Sequence, residues 1–156
     1  MKTLKKFITL YLSLTVLSLL MVSCAINDKN TAGTFAPVPE TYADAVIQVY
    51  SARTWGAKKI VSVHTWISIK PQNADHYSSF EIIGWRLGRR RTALFERDGR
   101  PDRDWWGHQP QLLLDIRGDK AQSLIPKIIE AVENYPFKKN YHAWHGPNSN
   151  TFTAYI

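Results

Sequence analysis

The sequence predicts an α+β domain in which an antiparallel sheet is packed with helices. Several short segments rich in β-branched residues alternate between apolar and polar positions and are separated by turn residues. One longer segment towards the C-terminus repeats its apolar residues with the period of an α-helix instead. Strands that come first, with helices after them, are typical of α+β domains rather than of alternating α/β folds.

Five segments have the pattern of β-strands. They cover residues 45–53, 60–70, 79–87, 92–99 and 111–118, and residues 100–110 between the last two are irregular. Alternation in the second strand separates its side chains into two faces. One face carries Val61, Val63, Thr65, Ile67 and Ile69. The other face, which mixes polar and apolar groups, carries Ile60, Ser62, His64, Trp66 and Ser68.

Residues 118–136 have the pattern of one amphipathic helix. Its apolar stripe consists of Ala121, Leu124, Ile125, Ile128, Ile129 and Val132. Asp119, followed three residues later by Gln122, matches the capping box that begins many helices. Pro126 lies inside the helix, where its missing N–H predicts a kink.

The first 23 residues have the layout of a secretory signal peptide. Lys2, Lys5 and Lys6 precede an apolar run over residues 7–22, and the small residue Ser23 follows. The run is shorter than the roughly 20 apolar residues of a spanning helix. A plain N-terminal membrane anchor is the alternative interpretation.

The stretch MVSC, which ends at Cys24, resembles the lipobox of bacterial lipoproteins, in which the cysteine becomes the lipidated first residue. Cys24 is the only cysteine of the chain, so lipidation leaves the mature domain without a thiol. With Ala25 at the next position, the resemblance implies an outer-membrane location facing the periplasm. Residues 24–40 are polar and broken by Gly and Pro, which predicts a flexible tether before a single domain over residues 41–156.

The chain is basic, with a formal net charge of +7. Much of the charge lies in residues 85–103, where four arginines come close together: Arg86, Arg89, Arg90 and Arg91. Acidic residues are mixed into the same stretch, which favours an ordinary solvated surface. A surface that binds anionic lipid or acidic polymer is the alternative. An exported, tethered protein is not expected to bind nucleic acid.

The histidines do not form a recognisable metal motif. They are His64, His76, His108, His142 and His145. His142 and His145 have the spacing of a zinc pair, but they lie in a stretch without helical periodicity, and no H-E-x-x-H sequence is present. The sequence also has no Gly-rich phosphate loop. We therefore expect neither a metal nor a cofactor.

Three residues have the chemistry of a catalytic triad: His64, Glu81 and Ser149. His64 and Glu81 lie at similar heights if their strands pair as a hairpin. Ser149 follows Asn148 at a predicted helix start, where free N–H groups and the helix dipole favour developing negative charge. A base oriented by a carboxylate and facing a nucleophile is the general triad arrangement. Each residue also has a structural interpretation, since Asn148 and Ser149 are ordinary helix-capping residues.

Five stretches together resemble an uncharacterised family of bacterial lipoprotein or membrane domains of unknown function. They are VYSARTWG, HTWISIKP, FEIIGWRLG, RPDRDWWG and YHAWHGPNSNTF, and they cover residues 49–152. The most specific of them are HTWI and GPNSNTF. This resemblance implies no activity, because none is established for such domains.

The order of the candidate residues is distantly similar to circularly permuted papain-like enzymes, such as the NlpC-type cell-wall peptidases. In these enzymes a His lies on an early strand, a polar residue on the next strand, and a Cys at a late helix start. His64 and Glu81 match the first two positions, with His76 and Ser79 as rivals of Glu81. Ser149 stands where the family has Cys, so His64 would have to act as a true general base.

The resemblance implies a hydrolase or acyltransferase that acts on an amide or ester, such as a cell-wall peptide or a lipid. The residues expected to line its substrate cleft are Trp66, Trp105, Trp106, Trp144 and Asn148. Only four residues follow Phe152, which leads us to expect a C-terminus truncated relative to these enzymes. The alternative is a non-catalytic envelope binding module that retains a degenerate cleft.

Overall fold

The computed structural model describes residues 35–54, 56 and 62–156. Its strands are β1 (Val46–Arg53), β2 (Val63–Lys70), β3 (Ser78–Ile82), β4 (Leu94–Asp98) and β5 (Gln111–Arg117). Its α-helices are α1 (Leu87–Arg90), α2 (Asp119–Asn134) and α3 (Ser149–Tyr155), and two 3-10 turns cover Pro39–Thr41 and Gly84–Arg86. Within these residues, no helix has the length and hydropathy that crossing a membrane requires. The predicted signal peptide, Cys24, Ile60 and Val61 lie outside the described residues.

The strands form one antiparallel sheet in the order β4-β3-β2-β1-β5. The predicted α+β class is therefore confirmed. Neighbouring strands in sequence pair with each other, except that β5 returns to lie beside β1. This return places β1 and β2 at the centre of the sheet, where β2 carries the candidate base His64.

The two faces of the sheet differ in chemistry, as the alternation predicts. One face packs apolar side chains against α2 and α3, among them Ile47, Ile67, Ile69, Phe80 and Ile82. The opposite face buries polar groups beside aromatic rings, including Gln48, Tyr50, His64, Trp66, Ser68 and Glu81. The buried polar groups are stabilised by hydrogen bonds, such as the 2.6 Å contact between the Ser68 and Ser79 hydroxyls.

The third strand is shorter than the predicted segment 79–87. It ends at Ile82, and the chain continues into the 3-10 turn and α1. Gly84 lies at this change of direction, and a Cβ atom there would lie 2.4 Å from the ring of Tyr141. Only glycine lets this tyrosine pack against the backbone at the point where the strand stops.

The predicted capping box of the long helix is wrong. The N-cap is Gly118, with φ of 68°, and no side chain caps the helix. Asp119 is instead the first helical residue, where its negative charge interacts favourably with the positive end of the helix dipole. The Gln122 side chain accepts a hydrogen bond from the backbone N–H of Gln72 at 2.9 Å, so it is not available to the helix N-terminus. Pro126 lies within the helix, as predicted.

The folded unit begins before Thr41, because residues 35–37 form hydrogen bonds with the side chains of Gln48, Tyr77 and Asp102. The Asp102 carboxylate, only 1% exposed, accepts hydrogen bonds from the backbone N–H groups of Phe35 (3.1 Å) and Ala36 (2.9 Å). Arg100 donates to both oxygens of the same carboxylate, at 3.1 and 3.0 Å. The expected tether over residues 24–40 thus includes a segment held by a charged anchor that sequence periodicity cannot reveal.

We expect Asp102→Asn to lower the free energy of unfolding by about 1.5–3 kcal/mol, because an amide nitrogen would face N–H donors in a buried site. Urea unfolding measures the loss, and hydrogen exchange at residues 35 and 36 locates it. The matched control is Asp115→Asn, since the carboxylate of Asp115 is 26% exposed and pairs with Arg117 at the surface. An equal loss of unfolding free energy in both variants would show that the buried hydrogen bonds of Asp102 contribute no more than a surface ion pair.

Candidate functional site

The candidate site lies where β2 and β3 part. The two strands pair only from Ile67↔Phe80 to Ile69↔Ser78. Beyond this point β2 continues to Val63 with β1 as its partner. The backbone N–H of Thr65, which no longer faces β3, donates a hydrogen bond to the Ser149 hydroxyl oxygen at 3.4 Å. Ser149 of α3 therefore enters the opening between the two strands.

His64 and Glu81 form a buried hydrogen-bonded pair across this opening. His64 Nε2 lies 2.7 Å from Glu81 Oε2, and Glu81 has no exposed surface. An ionised carboxylate can only accept, so when Glu81 is ionised and the ring is neutral, Nε2 carries the hydrogen and Nδ1 keeps its lone pair. In the described part of the chain, Nδ1 has no hydrogen-bond partner. The ring thus has one fixed nitrogen and one that is available as a base.

Aromatic stacking holds the imidazole in this orientation. The ring of Trp105 stacks on that of His64 with centroids 4.0 Å apart and planes inclined by 10°. Trp66 lies on the same face of the sheet, 6.0 Å from the imidazole. These contacts restrict the rotamers of His64, because a stacked ring cannot turn without losing its apolar contacts.

Arg103 is the third member of the buried cluster, and sequence reasoning missed it. Its Nη2 lies 3.1 Å from Glu81 Oε1, so Glu81 bridges a guanidinium and an imidazole. The guanidinium also lies 5.5 Å from the centroid of Trp105, within the range of a cation–π contact. Burial lowers the pKa of Arg103, and the Glu81 charge acts in the opposite direction. The only feature that could have indicated Arg103 is the chemistry of Glu81, since a fully buried carboxylate needs a cationic partner.

The start of α3 is built as the sequence predicts. The Asn148 side chain accepts hydrogen bonds from the N–H groups of Asn150 (3.0 Å) and Thr151 (3.2 Å). The Thr151 hydroxyl accepts in return from the Asn148 N–H at 2.7 Å, which completes a capping box. Ser149 is thereby fixed as the first helical residue and is 5% exposed.

Ser149 and His64 line the same cavity, which has a volume of about 240 Å³. The other lining residues include Thr54, Ser62, Gly84, Trp85, Trp105, Tyr141 and Asn148. Burial raises the pKa of the Tyr141 phenol, so this side chain stays neutral and can donate a hydrogen bond. No hydrogen bond joins Ser149 to His64. The structure brings the candidate nucleophile Ser149 and the candidate base His64 to one cavity without a hydrogen bond between them.

The four tryptophans predicted to line the cleft have different environments. Trp105 lines the cavity. Trp66 is fully buried and donates from Nε1 to the Pro101 carbonyl at 2.9 Å, so it belongs to the core beneath the site. Trp106 and Trp144 are 61% and 77% exposed and lie outside the cavity lining. Trp85, which was not singled out in the sequence, does line it.

The rivals of Glu81 do not reach His64. His76 pairs with Asp75 at the surface, and Ser79 bonds to Ser68. A larger cavity of about 390 Å³ lies on the other face of the sheet, between α2 and strands β2 to β4. His76 is among its lining residues, but its partner Asp75 is an exposed side chain and no buried base–carboxylate pair is present there. Among the described residues, no three His, Cys, Asp or Glu side chains group together as a metal site requires.

Fold and site together define an α+β domain with a buried imidazole–carboxylate–guanidinium cluster beside a serine at a helix start. Residues 44–156 match the family model described as "Protein of unknown function (DUF3750)". The chain therefore belongs to this family, as its resemblance to an uncharacterised domain family implies. No curated protein and no solved structure matches the chain.

Proposed function

We propose that this domain is a hydrolase or acyltransferase that acts on an amide or ester through Ser149, as a serine variant of the permuted papain-like enzymes. The observation that carries the proposal is the His64–Glu81 pair. It is buried, it leaves one imidazole nitrogen as a base, and it shares a cavity with a serine hydroxyl. Geometry of this kind is the common requirement of nucleophilic catalysis by serine.

The proposed reaction uses each group in turn. The Ser149 oxygen attacks the substrate carbonyl carbon while its proton passes to His64 Nδ1, and Glu81 stabilises the imidazolium that forms. Nδ1 then returns the proton to the departing amine or alcohol as the bond to the carbonyl carbon breaks. In the second half, a water or an acceptor hydroxyl attacks the acyl–serine ester and gives its proton to His64 Nδ1. Nδ1 then returns this proton to the Ser149 oxygen as the bond from that oxygen to the acyl carbon breaks. Contact between Ser149 and His64 must tighten on substrate binding for these steps.

A non-catalytic binding module is the second candidate, and two observations favour it. The Glu81 carboxylate is shared with Arg103, which reduces the negative charge available to an imidazolium. The cavity, at about 240 Å³, is also smaller than the roughly 300–1,000 Å³ of most small-molecule sites. Such a module would bind a substrate fragment and leave it unchanged.

The proposed place of action is the bacterial envelope. Support comes from the signal-like residues 1–23 and from Cys24, which would anchor the chain in the outer membrane with the domain facing the periplasm. The test is incorporation of labelled palmitate by cells that express the chain. Lipidation at this site is lost in Cys24→Ser, and labelling that persists in that variant excludes it.

A fluorophosphonate probe, which reacts with activated serines, tests the catalytic proposal. We expect the full chain to be labelled, and we expect Ser149→Ala and His64→Ala to lose the label by at least about a hundredfold, because the base contributes roughly 10²–10⁴-fold. The matched control is Ser123→Ala, on the exposed side of α2, which keeps full labelling. Circular dichroism verifies folding of each variant. A folded wild-type chain that takes no label favours the binding module.

A further inference from the structure

Two tryptophans next to the cavity are exposed side by side. Trp85 is 58% and Trp106 is 61% exposed, and their ring centroids lie 6.2 Å apart in an edge-on arrangement. Large aromatic rings on a water-facing surface lose the benefit of burial, so an exposed pair indicates an interaction surface. Trp85 also lines the cavity that holds His64 and Ser149, which places this pair at the mouth of the site.

Three positive charges follow Trp85 within six residues. Arg89, Arg90 and Arg91 are all exposed, and within the described part of the chain none of them forms an ion pair. Arg103 and Arg117, in contrast, are paired with carboxylates. Residues 84–95 contain four arginines and no acidic residue. Since six residues across two helical turns span roughly 10 Å, the charges stay close to the tryptophan pair.

Two residues of this surface, Trp106 and Arg91, have strained backbone conformations with positive φ angles. Trp106 has φ of 51° and Gly107 has φ of 77°, in a tight turn closed by two hydrogen bonds between Trp105 and His108. Such turns favour Asn-Gly, so a tryptophan here is strained and projects into solvent. Arg91, with φ of 58°, ends α1 in the left-handed conformation that glycine adopts without cost. At both positions the chain has an exposed Trp or Arg instead of the Asn or Gly that such a backbone conformation favours.

We propose that this Arg–Trp surface, formed by Trp85, Arg89, Arg90, Arg91 and Trp106, binds the anionic headgroups of a lipid bilayer. Arginines attract the negative surface of such a bilayer, and tryptophans insert at the boundary between headgroups and acyl chains. The surface adjoins the cavity, so contact with the bilayer would turn the mouth of the site towards the membrane. The proposal does not depend on the chemistry of Ser149.

Hydrogen exchange of the full chain on vesicles tests this surface. One set of vesicles contains phosphatidylcholine alone, and the other also contains phosphatidylglycerol. The apolar N-terminal run and its three lysines are the same in every variant, so a difference between variants on the same vesicles reports on the folded domain. We expect residues 84–91 and 105–107 to be protected only on phosphatidylglycerol, and added salt to remove the protection.

The triple variant Arg89→Gln/Arg90→Gln/Arg91→Gln is expected to weaken this contact about a hundredfold, because each charge contributes a factor of about five. The control Lys120→Gln/Lys127→Gln/Lys139→Gln removes the same charge from exposed positions elsewhere and keeps the protection.

Arg91→Gly separates binding from folding, since it raises the melting temperature but weakens protection. Equal protection on both vesicle types, or equal loss in the lysine control, overturns the proposal. Protection by a soluble acidic protein in place of vesicles also overturns it.

Discussion

Glu81→Ala is expected to lower the free energy of unfolding by about 3–5 kcal/mol, because removing one member of a buried ion pair leaves the other charge without compensation. Glu81 has no exposed surface and bonds both His64 and Arg103. The Arg103 side chain is only 23% exposed, so water cannot fully replace the lost carboxylate. Guanidinium chloride unfolding measures the change.

The same variant is expected to lose its fluorophosphonate label even at temperatures where it is folded. Without the carboxylate, nothing holds the hydrogen on His64 Nε2, and the tautomer with the hydrogen on Nδ1 cannot accept the serine proton. Glu81→Gln keeps the size of the side chain. Its amide oxygen can still accept from Arg103, which leaves its NH2 group to donate to His64 Nε2 and puts the ring hydrogen on Nδ1. The variant is therefore expected to give the same loss of label with a smaller loss of stability.

Two further variants show whether the loss of stability in Glu81→Ala comes from the broken interaction with Arg103 or only from the space that the truncated side chain leaves. Arg103→Ala in the Glu81→Ala background should recover part of the stability, because it removes the unpaired charge. Glu130→Ala, at an exposed position on α2, should change stability by less than about 0.5 kcal/mol. A double variant whose loss is the sum of the single losses would mean that Glu81 and Arg103 do not interact.

The sequence predicts the half of the site that lies on strands. Strand alternation alone puts His64 and Trp66 on one face of β2. Continuing the register from Ile67↔Phe80 by one residue sets Glu81 opposite Trp66, which makes it the diagonal neighbour of His64. The capping chemistry of Asn148 likewise predicts where α3 begins. The strand alternation and the helix start depend on local pattern, which a single sequence contains, whereas the register of β2 and β3 is a property of the folded sheet.

The half of the site that comes from irregular segments could not be predicted. Arg103 and Trp105 reach the sheet from the connection between β4 and β5, whose path has no periodicity. Gly84 and Tyr141, which both line the cavity, are far apart in sequence and meet only in the folded chain. The hydrogen bond from Thr65 to Ser149 joins residues 84 positions apart. Contacts of this range depend on tertiary packing rather than on local propensity.

Phe152→Ala is expected to lower the free energy of unfolding by about 3–5 kcal/mol, the usual cost of removing a buried phenylalanine. Phe152 lies on the buried face of α3, is fully buried and packs edge-on against Tyr135, with ring centroids 4.9 Å apart. A helix as short as α3, with seven residues, has little stability of its own. Its position therefore depends on this side chain and on the hydrogen bonds between Thr65 and the helix.

The consequence for the site is more specific than the loss of stability. If α3 detaches locally, Ser149 leaves the opening between β2 and β3 while His64, Glu81 and Arg103 stay in place. Hydrogen exchange should then rise at residues 149–156 before it rises in β1 and β2, and the fluorophosphonate label should fall with it. Tyr155→Ala, at a position that is 49% exposed on the same helix, is the matched control and should retain the label. A Phe152→Ala variant that unfolds as one unit, with no earlier exchange in α3, would show that the helix is an integral part of the core, and that Ser149 cannot move independently of the sheet that carries His64.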